Sequence, residues 1–211
     1  IVAISVLFSN LLESAHNIAR IVKKVKRDTT VILGGNHISS AVSDYKIALI
    51  DKDSGLPKVI NDLEDKNFDF AMTGEGEFSV LELVNKLINK EDISKVPGLV
   101  KKIGHEKYLI NPSTRVHNLN LLPRPARHLV DMEAYFKIGA FHSAKSRSKR
   151  VLSVMCSRGC PEKCTFCSTP QMWGNNTRWR TTEHIMSEIS NDVRDFKIGE
   201  IQFDDDTITV N

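Results

Sequence analysis

All four cysteines of this 211-residue chain fall between Cys156 and Cys167, and no other feature restricts its fold as tightly. Within that run Cys160, Cys164 and Cys167 have the spacing C-x3-C-x2-C. Thiolates are the ligands that iron–sulfur clusters take, and three thiols so close in sequence can wrap one face of a four-iron cube. One iron is then left without a protein ligand and can bind a substrate or cofactor. Other uses of the cysteines fit less well. A four-cysteine zinc site usually has two C-x2-4-C pairs separated by a long stretch, and the flanking His142 and His184 are not at finger spacing. Disulfides between such near neighbours close strained loops. Cys156 as a fourth ligand would give C-x3-C-x3-C-x2-C, which is not a ferredoxin spacing. Its plainer reading is a small buried residue ending a strand.

The surroundings read as a βαβ unit. Arg150 to Met155 is apolar and β-prone, so the cysteine loop leaves the end of a strand. Ile185, Met186, Ile189, Val193 and Phe196 recur at helical spacing, and Gly199 stops that helix. Glu200 to Phe203 is the next strand, followed by Asp204, Asp205 and Asp206. Parallel strands joined by a helix present ligand sites at their carboxyl ends. The cysteines and the aspartates are therefore expected at the same end of one sheet; a solvated strand end is the other account of the acidic trio.

The amino-terminal half repeats the pattern. Ile1 to Phe8 is a continuous apolar run of the kind found in buried parallel strands. Asn10 with Glu13 predicts a capping-box helix start, and Leu11, Ala15, Ile18, Val22 and Val25 mark one helix face. Thr30 to Leu33 is a second strand, closed by Gly34-Gly35. A third strand, Phe68 to Met72, runs into Gly74-Glu75-Gly76-Glu77 and a helix carrying Val80, Leu81, Val84, Leu87 and Ile88. Glycines after strands let a ligand approach the backbone, although an ordinary tight turn uses them equally well. The expected fold class is α/β, an open doubly wound sheet followed by a second βαβ unit.

C-x3-C-x-aromatic-C after a strand, with Phe166 at the aromatic position, resembles the radical SAM superfamily. Ser5-Val6-Leu7 followed by Gly34-Gly35 resembles the Ser-x-Leu and Gly-Gly signature of cobalamin-binding domains, and Gly-Glu-Gly-Glu at 74–77 is similar to the matching motif of the cobalamin-dependent radical SAM class. The resemblance implies a partial Rossmann-like cobalamin-binding domain at 1–95, a linker at 96–148 and the first βα units of a TIM-like (βα)6 radical SAM barrel at 149–211, truncated at both ends. It implies a 4Fe–4S cluster on Cys160, Cys164 and Cys167, and S-adenosylmethionine near Phe166, Asp204 and Asp205. Cobalamin is implied beside Ser5, Leu7, Gly34, Gly35, Gly74 and Glu75. The activity implied is reductive cleavage of S-adenosylmethionine for radical methylation, or for an oxidative or ring-forming step, on a small-molecule or cofactor-precursor substrate. An electron donor such as flavodoxin or ferredoxin would serve it. No Asp-x-His-x-x-Gly string for a lower cobalamin ligand occurs; His37, after the glycine pair, reads as a loop histidine. By itself the chain is expected to be inactive. A radical SAM methylthiotransferase is the nearest rival, but it would carry further cysteines before Cys156, and there are none.

Between the halves, Val96 to Val100 is expected to pair with Lys107 to Ile110 across a turn at Gly104-His105. Leu121 to Arg127 is punctuated by Pro123 and Pro125, so it is no helix interior; it resembles the Leu-Pro-x-Pro linker of the same class. Lys145, Arg147, Lys149 and Arg150 form a small basic cluster without interleaved aromatics, and a net charge of +3 is too small to argue for nucleic acid. The sequence has no membrane-spanning stretch, and clustered free cysteines suit a reducing cytoplasm.

Overall fold

The computed structural model describes residues 1–138 and 146–209, so His142 and Lys145 lie outside the described residues. The chain divides into two compact units, Ile1–Arg115 and Val116–Asn211.

The first unit is a five-stranded sheet in sequential order. Strands β1 (Val2–Ser5), β2 (Val31–Gly34) and β3 (Phe70–Met72) are parallel, with Ser5 opposite Gly34 and Leu33 opposite Ala71. Their connections are α1 (Leu12–Val25) and α2 (Asn36–Ile50), and α3 (Gly76–Asn89) follows β3. Strands β4 (Leu99–Gly104) and β5 (Lys107–Ile110) then extend the sheet as an antiparallel hairpin. The expected pairing across Gly104-His105 is thus present. The stretch anticipated as a linker from residue 96 begins with two strands of the first sheet.

Alternation along β2 divides the core. Val31 and Leu33 pack with Ala15 and Ala19 of α1 and with Ile38, Val42 and Tyr45 of α2, whereas Ile32 packs with Phe70, Met72 and Leu83 of α3. Helices cover both faces of β2 and β3, which read as unbroken apolar runs; β1 lies at the sheet edge with alternate residues exposed, so the Ile1 to Phe8 run is not the buried strand it was expected to be. Fully buried side chains such as Leu33, Ile38 and Leu83 each contribute roughly 1.5–3 kcal/mol of burial.

Three local expectations are corrected. Asn10 does not cap α1: a 3-10 turn at Ser9–Leu11 precedes the helix, whose N-cap is Leu11 without a side-chain hydrogen bond. The buried stripe of α1 is Ala15 and Ala19, while Ile18 and Val25 are exposed, because two alanines let the helix lie close on the sheet. Helix α2, with its apolar Ile38, Val42 and Ala48, was not anticipated at all.

In the second unit, α4 (Met132–Ile138) precedes β6 (Val151–Val154). A short antiparallel pair, β7 (Ser157–Arg158) with β8 (Arg178–Trp179), encloses the cysteine loop and a single helical turn, α5 (Thr169–Met172). Helix α6 (Thr182–Phe196), capped by the Thr181 hydroxyl, leads into β9 (Glu200–Phe203), which pairs in parallel with β6. The anticipated βαβ unit is present. Its helix packs differently from the expected apolar stripe: the buried positions of α6 are Glu188 and Asp192, while Met186 and Val193 are exposed. Arginines from outside the helix supply the reason.

Candidate metal centre and cofactor crevice

The cysteine loop leaves β6 and is fastened at its base by the acidic end of β9. The backbone N–H of Cys156 donates to both oxygens of Asp205, at 3.0 and 3.1 Å. The N–H of Ser157 donates to the same carboxylate, and the Ser157 hydroxyl does so at 2.6 Å. Gly159 then turns with φ of +98°, where an added Cβ would stand 2.5 Å from the Asn176 carbonyl oxygen, so only glycine keeps this close approach. The Cys160 N–H donates to the Gly174 carbonyl at 3.2 Å, and the Cys167 N–H to the Cys164 carbonyl at 3.1 Å. Beyond the cysteines, the Thr169 hydroxyl donates to Asp206 at 2.9 Å.

Arginines brace the same strand. Arg180 donates its backbone N–H to the Cys156 carbonyl and Nη1 to the Met155 carbonyl, both at 2.8 Å, and its Nη2 meets Glu188 at 2.5 Å. Arg127 donates to the Ser153 carbonyl at 3.2 Å and pairs with Glu188 and Asp192 at 3.0 Å each. Arg124 pairs with Asp192 at 2.6 Å and Asp195 at 3.0 Å. The proline-punctuated segment thus delivers two guanidinium groups to the buried acids of α6. Proline fixes the extended backbone on either side of Arg124, which holds the segment in the shape the pairs require.

Cys156 is buried, and burial, followed by the neighbouring Asp205 carboxylate, pushes its thiol up to about 11. A thiol held protonated is a poor metal ligand. Cys160 is 9% exposed, whereas Cys164, Cys167 and the Phe166 ring stand in solvent. Among the described residues, no three His, Cys, Asp or Glu side chains converge as ligands of a single ion would. A cubane asks for a different arrangement, since each thiolate takes its own iron. A set of three thiols on one loop, anchored at both ends with two of them facing outward, fits that requirement.

In the first unit the structure brings together the residues singled out for the other cofactor. Ser5, Gly34 and the Gly74-Glu75 turn stand at the carboxyl ends of three adjacent parallel strands, and Leu7 beyond β1 is half exposed. The Ser39 hydroxyl donates to the Gly35 carbonyl at 3.1 Å and accepts from the Gly74 N–H at 3.3 Å, joining the two glycine turns. The glycines differ in why they are needed. At Gly35 φ is +99°, and an added Cβ would stand 2.5 Å from the Val6 carbonyl oxygen. At Gly74 φ is +78°, and a Cβ would meet Ser113 at 2.6 Å. Both serve the chain's own close packing. At Gly34 the nearest atom to a Cβ would be the Met72 carbonyl at an ordinary 3.8 Å, so packing does not dictate glycine there. Glu75 is buried.

A hydrogen-bonded relay beside these strand ends was not anticipated. Ser9 Oγ meets His37 Nδ1 at 2.8 Å, and His37 Nε2 meets the buried Asp62 at 3.2 Å. His16 meets Asp65 at 2.6 Å. His37, expected as a loop histidine, lies in the first turn of α2, and its partners lie in the 3-10 turns Ser9–Leu11 and Asn61–Glu64.

No family model matches the chain. The chain is 27% identical over 230 residues to the cytidylyl-2-hydroxyethylphosphonate methyltransferase of Streptomyces wedmorensis, an alignment spanning 99% of this chain and 40% of that protein. Its fold matches that of TsrM, a radical S-adenosylmethionine methyltransferase from Kitasatospora setae solved with cobalamin and a [4Fe-4S] cluster bound. The TM-score is 0.62 at 14% identity, covering 97% of this chain and 37% of that one. It also matches OxsB, a cobalamin-dependent S-adenosylmethionine radical enzyme solved with aqua-cobalamin and S-adenosylmethionine. There the TM-score is 0.64 at 17% identity, covering 98% of this chain and 25% of that one. The chain thus spans less than half the length of each of these three proteins. Among the described residues no helix is long and apolar enough to cross a membrane.

Proposed function

We propose that this chain, a homologue of the cobalamin-dependent radical SAM enzymes, carries the cluster loop and part of the cobalamin crevice of a radical methyltransferase. The observation that carries this reading is the cysteine loop itself: three thiols held at the carboxyl end of a parallel strand pair, with an acidic strand end fastened beneath them. When bound, a cubane with an open iron supplies one-electron reduction of a sulfonium, and a corrinoid supplies a methyl carrier. Cys160, Cys164 and Cys167 would hold the cubane. Phe166, 92% exposed, offers a ring face for an adenosyl group, and the Asp204 carboxylate a charge for its amino group. Ser5, Leu7, Gly34 and Glu75 would line the corrinoid crevice, with Gly34 as the residue whose missing side chain leaves room for it. Gly35 and Gly74 shape the turns. A cyclisation or oxidative outcome would use the same cofactor residues.

The test is anaerobic reconstitution followed by electron paramagnetic resonance, with and without S-adenosylmethionine. A cubane signal altered by the sulfonium, lost in Cys164→Ala and kept in Cys156→Ala, is the expected result. Loss of the cluster in Cys156→Ala would make Cys156 a fourth ligand and the protein an electron carrier.

A further inference from the structure

The exit of β9 touches the cysteine loop at three places. Asp205 takes the Cys156 and Ser157 N–H groups and the Ser157 hydroxyl before the first ligand. Asp206 takes the Thr169 hydroxyl after the last one. Thr207 reaches a ligand directly: its Oγ1 lies 3.4 Å from Cys160 Sγ. Once Cys160 is a thiolate its sulfur can only accept, so the threonine hydroxyl must donate. A carboxylate accepting several donors from one loop has little capacity left for a ligand's amino group. Asp205 is thereby committed to the loop.

We propose that Asp205–Thr207 positions and tunes the cluster loop: Asp205 is a positioning residue that fixes its base, and the Thr207 hydroxyl donates to the sulfur of Cys160. This rests on the cluster assigned above to Cys160, Cys164 and Cys167. A hydrogen bond to a ligating sulfur stabilises the reduced, more negative cluster and so raises its potential.

The experiment uses the full-length protein, reconstituted anaerobically and titrated redox-potentiometrically with paramagnetic resonance detection. Thr207→Val keeps the side-chain shape and removes the donor. Its cluster content is expected to stay at the wild-type level while the reduction equilibrium shifts about tenfold against the reduced form, about 59 mV more negative for one electron. Thr207→Ser is expected to restore the wild-type value. A Thr207→Val potential equal to wild type would overturn the hydroxyl's role. For Asp205→Ala, removal of iron by a chelator is expected to run about tenfold faster. Asp205→Asn, which keeps one acceptor oxygen, should fall between, and in both the spectral response to S-adenosylmethionine should persist. Should Asp205→Ala fail to fold, Ser157→Ala removes one contact alone and is expected to accelerate chelation by a few-fold. A wild-type chelation rate combined with a lost sulfonium response would overturn the positioning role and make Asp205 a ligand of the donor. Absence of any cubane in the wild-type protein would overturn the functional reading together with this one; a cubane indifferent to both substitutions would overturn this inference alone.

Discussion

Replacing Asp192 by alanine tests the buried ionic clamp of the second unit. Asp192 has 0% of its side chain exposed, and its partners are Arg124 at 2.6 Å and Arg127 at 3.0 Å. Removing one partner of a buried ion pair costs about 3–5 kcal/mol, because the remaining charge stays desolvated. The lower end applies here: Arg124 keeps Asp195 at 3.0 Å and Arg127 keeps Glu188 at 3.0 Å, so neither guanidinium is left alone. An expected loss of about 3 kcal/mol, with a urea slope of about 2 kcal/mol per molar, lowers the unfolding midpoint by about 1.5 M. Both tryptophans, Trp173 and Trp179, lie in this unit, so their fluorescence follows its unfolding separately from the first sheet. Asp195→Ala, at an exposed position of the same helix, is the control and should move the midpoint far less. A midpoint shift for Asp192→Ala no larger than that of the control would refute the claim that acids, rather than apolar residues, seat α6.

The glycine crevice gives a paired comparison. Gly35→Ala should cost roughly 3 kcal/mol or more, through its positive φ and the Val6 contact, whereas Gly34→Ala should change thermal stability by less than about 1 kcal/mol while weakening corrinoid binding by titration. Equal destabilisation by the two would contradict the distinction. Tyr108 supplies the pH dependence: burial first, then its hydrogen bond to Glu64, pushes its phenol up to about 12. A folded value above the unfolded value of about 10 means that this contribution is complete below pH 10 and disappears as pH rises toward 12. Urea unfolding at stepped alkaline pH, alongside the phenolate absorbance, should show a loss of stability in that window, and Tyr108→Phe should remove it.

Much of the fold was legible in the sequence because the strands carry unbroken apolar runs and end in glycine or in charge. Val31 to Leu33 was identifiable for that reason, and Glu200 to Phe203 by its alternation of polar and apolar residues ahead of three aspartates. Helix α2 was not, since Ser39, Ser40, Ser43 and Asp44 interrupt its apolar spacing and only packing against the sheet reveals its face. The apolar stripe anticipated on α6 failed for an opposite reason. Buried Glu188 and Asp192 look like surface residues to any periodicity argument until Arg124, Arg127 and Arg180 are known to meet them, and those partners lie far away or across a turn. At the site, the cysteine spacing identified the loop and the strand ends located the aspartates beside it. The commitment of Asp205 to backbone N–H groups, and the difference between Gly34 and Gly35, depend on distances and backbone angles that sequence does not encode.

The single hydroxyl of Ser39 bridges the Gly35 and Gly74 turns. Those two turns are tied through one side chain, so a displacement of either is passed to the other unless a hydrogen bond breaks. Leu7 and Phe8, which follow β1 and stand exposed, carry no such tie and are the side chains at these strand ends freest to adjust.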